Sequence, residues 1–126
     1  MRWLGKKPDA DAAKRKKERR GRFAEHIAAA YLRLKGHRIL ERRFKAATGE
    51  IDLIALQGRR IAFIEVKARA DLEACEASVT PKLRQRVRRA ADAWMAKHSA
   101  FHDHDLGFDL VFIRPGRWPV YLKDAL

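Results

Sequence analysis

Four side chains in the middle of the sequence have the types and spacing for metal-assisted chemistry. "GEIDLIAL" places Glu50 and Asp52 two residues apart, and "IAFIEVK" places Glu65 and Lys67 two residues apart, thirteen positions beyond Asp52. Both stretches otherwise read as strands with apolar residues on both faces. Side chains alternate across a strand, so Glu50 shares a face with Asp52, and Glu65 with Lys67. A turn at Gln57-Gly58 makes the two strands a hairpin. A two-residue loop there sets Asp52 opposite Phe63 and Glu50 opposite Glu65. Asp52 and Glu65 then become diagonal neighbours, ~7–8 Å apart. An unpaired carboxylate in an apolar sheet costs several kcal/mol or takes up a proton. One lysine does not neutralise three acids. A hard divalent cation does, and Mg²⁺ accepts carboxylate oxygens at about 2.1 Å. The alternative is an ordinary cross-strand ion pair at the wet end of a sheet.

The flanking elements must hold these groups. Phe23, Ile27, Ala30, Tyr31 and Leu34 recur at helical spacing over residues 22–35, with Gly36 as the stop. Glu25 falls at the edge of that apolar stripe, near Leu32. Residues 37–44 read as a strand of poor alternation, followed by strands over 50–56 and 60–67. Residues 68–79 read as a loop with at most a helical turn. Thr80-Pro81 opens a helix to about Lys97, with Leu83, Val87, Ala91, Trp94 and Met95 inward. "GFDLVFI" and residues 119–122 close the order α-β-β-β-α-β-β, an α/β sheet with helices packed on it.

The chain has 126 residues, 47% of them hydrophobic, which suits one domain with one core. It carries 29 Lys and Arg against 16 Asp and Glu, a net charge of +13. Such a field favours polyanions, nucleic acid before acidic membrane. Residues 1–20 read as a basic arm or a frayed helical extension, with residues 21–126 as the domain. "KRKKERRGR", from Lys14 through Arg15, Lys16 and Lys17 to Arg22, holds seven cations and one acid. The helix from Pro81 adds Lys82, Arg84, Arg86, Arg88 and Arg89, which suit DNA phosphates. Trp3 and Trp118 could stack on bases, whereas Trp94 reads as core. The single cysteine, Cys75, excludes an internal disulfide and fits a cytoplasmic protein. No apolar run reaches the length of a membrane span, so no stable membrane insertion is expected. "HSAFHDHD", with His98, His102 and His104, lacks a second set of zinc ligands and reads as a polar loop.

Five segments in order, "GRFAEHIAAAYLRLKGHRILERRF", "GEIDLIAL", "FIEVKAR", "ASVTPK" and "GFDLVFI", resemble the bacterial YraN-like family. That family is grouped with the restriction-endonuclease-like PD-(D/E)xK nucleases, close to archaeal Holliday junction resolvases. The resemblance implies a restriction-endonuclease-like fold with a mixed central sheet flanked by helices. It implies an Mg²⁺-dependent endonuclease, with Mn²⁺ as substitute, acting on branched or structured DNA. Asp52 and Glu65 would be metal ligands, Lys67 would activate the attacking water and stabilise charge on phosphate, and Glu25 would support the metal. The role of Glu50 stays open. Resolvase relatives are dimers, which implies a homodimer. Ile51 stands where the nuclease motif has Pro, and Lys82, Leu83 and Arg84 stand where the family carries an Arg-Lys-Gln run. Two other readings remain: a non-catalytic nucleic-acid-binding module with a degenerate site, and a protein whose basic arm rests on anionic membrane.

Overall fold

The computed structural model describes residues 10–126. Trp3, and the part of the basic arm before residue 10, lie outside the described residues. The elements are α1 (Ala10–Leu34), β1 (Arg38–Ala46), β2 (Gly49–Gln57), β3 (Arg60–Ala68), α2 (Leu72–Ala77), α3 (Pro81–Ala96), β4 (Asp105–Ile113) and β5 (Val120–Leu122), with a 3₁₀ turn at Ser99–Phe101. The strands form one sheet in the order β1-β2-β3-β4-β5. β3 and β4 run parallel and the other neighbours antiparallel. A parallel pair needs a long crossover, and α2 with α3 supplies it. This is the mixed α/β sheet flanked by helices that the sequence predicts. The added element is α2, a short helix where a loop with at most a helical turn is expected. Asp71 caps it by accepting the Ala74 amide at 2.8 Å.

Each face of the sheet carries its own core. Ile54, Ile61, Phe63, Leu110 and Phe112 pack with Val87, Ala90, Ala91 and Trp94 of α3. Leu53, Ala55, Ala62, Ile64 and Val111 pack with Ala28, Ala29 and Leu32 of α1. Helix α3 begins as expected: Thr80 accepts the Leu83 amide at 3.1 Å, and Pro81 follows.

The buried face of α1 differs from the sequence expectation. Ala24, Ala28, Ala29 and Leu32 are inside, while Ala30 is exposed, Phe23 is 68% exposed and Leu34 73% exposed. A helix lying close on a sheet buries its small side chains, so the larger apolar residues are displaced from the contact. The described part of the basic arm, residues 10–20, is a solvent-exposed continuation of α1.

The hairpin register also differs. Gln57 pairs with Arg60, so the turn is Gly58-Arg59, and Gly58 is left-handed at φ +60°. A positive φ at the first loop position is what a type II′ turn requires, and glycine meets it without strain. The effect on the acids is direct. One step beyond the last β2–β3 pair, Leu53↔Ile64, Asp52 lies across from Glu65 and not from Phe63.

Helix α3 approaches the start of β2 closely. A Cβ on Gly49 would lie 2.0 Å from the Arg86 carbonyl oxygen. That obstacle is backbone inside a packed helix and cannot swing aside. Gly49→Ala is expected to destabilise the fold by about 1–3 kcal/mol, the usual cost of overpacking. Urea unfolding checks this, as a lower midpoint with an unchanged slope.

Candidate functional site

The acids meet where β2 and β3 part. The ladder between them stops at Leu53↔Ile64, and beyond it the Val66 amide donates to Asp52 Oδ2 at 2.8 Å. The Asp52 side chain thus stands in for a ladder carbonyl. Ile51 packs in the α3-side core and Leu53 in the α1-side core. Strict alternation therefore breaks at Asp52, and its carboxylate turns into the cleft beneath α1. Glu65 is 7% exposed, and Lys67 Nζ lies 3.3 Å from Glu65 Oε2.

The electrostatics follow from that burial. Desolvation raises the Asp52 carboxyl well above the usual carboxylate range, and the charge of Glu65 raises it further. The Val66 hydrogen bond opposes both effects without cancelling them. Desolvation also raises Glu65, with Lys67 the main opposing influence. Among the described residues no cation pairs with Asp52. The donor set is carboxylate oxygen, half-buried at Asp52 and buried at Glu65, with too little protein charge to balance it. That chemistry suits a hard divalent cation held by Asp52 and Glu65.

A cleft of about 160 Å³ opens beside Asp52, lined by Glu25, Arg43, Lys45, Glu50 and Ile51. Glu25 shares this cleft with Asp52, and its charge adds to the upward pressure there. Its carboxylate, however, accepts from Arg43 Nε at 2.7 Å. Among the described residues no group of three or more His, Cys, Asp or Glu side chains converges in metal-holding geometry.

Arg43 and Lys45 are cleft residues that sequence reasoning missed. A signal existed in the poor alternation of residues 37–44. β1 carries a register shift between Ile39 and Glu41, and Arg43 is left-handed at φ +53°. A left-handed arginine is uncommon and marks a place where the surrounding structure dictates the backbone.

The basic residues of α3 lie elsewhere. Lys82, Arg84, Arg88 and Arg89 line a broad shallow depression of about 780 Å³. Arg88 is already engaged: it lies over the Phe108 ring at 4.2 Å and donates to the Leu126 carbonyl oxygen at 3.1 Å. Arg86 sits beside the acid strand, with its carbonyl against Gly49 and its side chain exposed. Lys14, Arg15, Lys16 and Lys17 are on the exposed half of α1. The depression is larger than the acid cleft, but the cleft holds Glu25, Glu50 and Asp52.

The histidines serve local structure. Their ring nitrogens contact the Trp94 carbonyl (His98, 2.7 Å), the Met95 carbonyl (His102, 2.6 Å) and Asp103 (His104, 2.9 Å). His98 also stacks on Trp94 with centroids 3.9 Å apart. Cys75 is buried, and burial raises its thiol pKa, the opposite of a reactive cysteine.

The fold and cleft define a class: a small mixed α/β domain with a partly buried acid pair where two central strands diverge. Residues 24–113 match the model of the Uncharacterised protein family UPF0102, and the chain belongs to that family. It is 50% identical over 118 residues to a UPF0102 protein of Methylorubrum populi, covering 94% of each chain. It is 47% identical to one from Maricaulis maris, covering 90% of this chain and 89% of that one. The UPF0102 protein of Rhizobium meliloti is 43% identical, over 91% of this chain and 94% of the relative. Among the described residues no helix is long and apolar enough to cross a membrane.

Proposed function

We propose that the protein is an Mg²⁺-dependent phosphodiesterase that binds nucleic acid, DNA before RNA, and cleaves branched or structured DNA. The observation that carries this reading is the Asp52–Glu65 pair where β2 and β3 part, half-buried at Asp52 and buried at Glu65, with Lys67 3.3 Å from Glu65. Asp52 and Glu65 would hold the cation. When bound, it supplies Lewis-acid polarisation of a phosphoryl oxygen and an acidified water. Lys67, fixed beside Glu65, orients the nucleophilic water and offsets charge that builds on the phosphate. Burial keeps competing water away. The exposed cations of α3 and α1, with a net charge of +13, draw the backbone in. A homodimer belongs to this reading through the resolvase resemblance alone.

A binding module with an inactive site is the second reading. It is favoured by the Glu25–Arg43 pair, in which the third acid is already engaged by a cation of the protein.

The test uses four-way junction, flap, duplex and single-stranded DNA with Mg²⁺, Mn²⁺ or EDTA, comparing the unmutated protein with Lys67→Ala. The expected result is metal-dependent cleavage that falls by about 10²-fold or more in Lys67→Ala, the scale for deleting one preorganised electrostatic group. Calorimetric Mn²⁺ affinity should hold or rise, because a cation beside the acids has gone. Binding of every substrate with cleavage of none would leave the inactive module.

A further inference from the structure

The cleft carries Asp52 and Glu50 on β2, and Glu25 on α1 turned to a cation, with Glu65 across from Asp52 on β3. Arg43 Nε donates to Glu25 Oε1 at 2.7 Å, and the arginine side chain is 40% exposed. Lys45, two residues along β1, and Glu50 line the same cleft and are exposed. Arg43 holds its place on a left-handed backbone, a conformation that glycine adopts far more readily. The Glu25 side chain is largely covered, at 15% exposure, but the guanidinium end of the pair is open to solvent, so a competing anion can reach it and exchange with the carboxylate. A phosphodiester is such an anion, and the planar guanidinium fork is suited to it.

We propose that Arg43 is a phosphate-binding residue and that the Glu25–Arg43 pair is a latch released by the substrate. A nucleic-acid phosphate entering the cleft beside Lys45 draws the Arg43 guanidinium off Glu25. The freed carboxylate then joins Asp52 and Glu65 in holding the divalent cation. The inference rests on reading those two acids as a metal site. Its consequence is a coupling: nucleic acid and divalent cation strengthen each other's binding, by the same factor in each direction. The protein alone would hold its cation weakly and complete the site only when a backbone is present.

The test is Mn²⁺ calorimetry on the full chain without nucleic acid. Arg43→Gly suits the left-handed backbone and frees Glu25, so it should bind Mn²⁺ about fivefold or more tighter than the unmutated protein. Lys45→Gln removes a cation from the same wall without freeing Glu25 and should give a smaller gain. Adding Glu25→Gln to Arg43→Gly should erase the gain. In parallel, fluorescence anisotropy of a labelled short DNA duplex should show Ca²⁺ tightening DNA binding to the unmutated protein relative to EDTA. That enhancement should shrink in Arg43→Gly. The latch is overturned if the unmutated protein binds Mn²⁺ and Arg43→Gly binds it no better, or if the gain survives Glu25→Gln. If neither the unmutated protein nor Arg43→Gly binds Mn²⁺, the metal site itself is overturned, and the latch with it.

Discussion

Asp52→Asn is expected to abolish divalent-cation binding and phosphodiester cleavage while making the metal-free protein more stable. Loss of function follows from removing a ligand charge at the centre of the site, with cleavage expected to fall by about 10³-fold or more. The gain in stability follows from burial. The folded-state pKa of Asp52 is raised well above its ordinary value by desolvation and then by Glu65. A raised pKa contributes stability that is fully present below the unfolded value, about 3.9, and is lost as pH rises through the folded value. Ionised Asp52 is therefore less favourable in the native protein than in the unfolded chain, and a neutral group in its place would be more stable. Asparagine is neutral, and its side-chain oxygen can still accept the Val66 amide. Melting temperature should rise by roughly 4–8 °C near pH 7.5, the response of a small domain to about 1 kcal/mol. The gain should shrink as pH falls and vanish only below about 3.9, where Asp52 is protonated in both states. Mn²⁺ should raise the melting temperature of the unmutated protein and leave the variant unchanged. If Asp52→Asn melts lower than the unmutated protein at neutral pH and Mn²⁺ affects neither, Asp52 is a structural acid.

Much of this was legible in the sequence, because local signals and the fold agree. The hairpin, the Thr80-Pro81 helix start and the two acid-bearing strands rest on side-chain chemistry that acts within a few residues. The register was missed by one residue on each strand, since Gln57-Gly58 and Gly58-Arg59 are both plausible loops from composition and only the left-handed φ of Gly58 separates them. The acids nevertheless stay together, because β2 and β3 are antiparallel and the shift brings Asp52 from a diagonal to an opposite position. The buried stripe of α1 was misread for a different reason. Periodicity finds the apolar side of a helix, but closeness of approach to the sheet decides whether alanine or phenylalanine fills the contact. Arg43 was missed because a left-handed residue in a strand leaves no compositional mark when it is not glycine or asparagine.

A second aspartate in the sheet is fully buried, and its environment predicts the opposite response. Asp109, on β4, is 0% exposed. It accepts from Arg60 at 2.7 and 2.8 Å, from the Asp124 amide at 2.8 Å and from the Tyr121 hydroxyl at 2.5 Å. Gly107 gives the Arg60 guanidinium room to reach across β4, since a Cβ there would lie 1.8 Å from Arg60 Nη2. Desolvation pushes the Asp109 pKa up, but the Arg60, Asp124 and Tyr121 contacts outweigh it and hold the carboxyl below its ordinary range. A depressed pKa contributes stability that is present above the unfolded value and lost as pH falls through the folded one. Asp109→Ala leaves a partly buried guanidinium, a hydroxyl and an amide without their acceptor. It is expected to destabilise the fold by about 3–5 kcal/mol, measured by urea unfolding at pH 7. Asp52→Asn should instead raise stability under the same conditions. The physical difference is the neighbouring charge: Asp109 faces Arg60, whereas Asp52 faces Glu65 and Glu25. If both variants lose stability at neutral pH and gain nothing from Mn²⁺, the two aspartates are equivalent structural acids. If only Asp109→Ala does so, the strain at Asp52 is specific to the cleft.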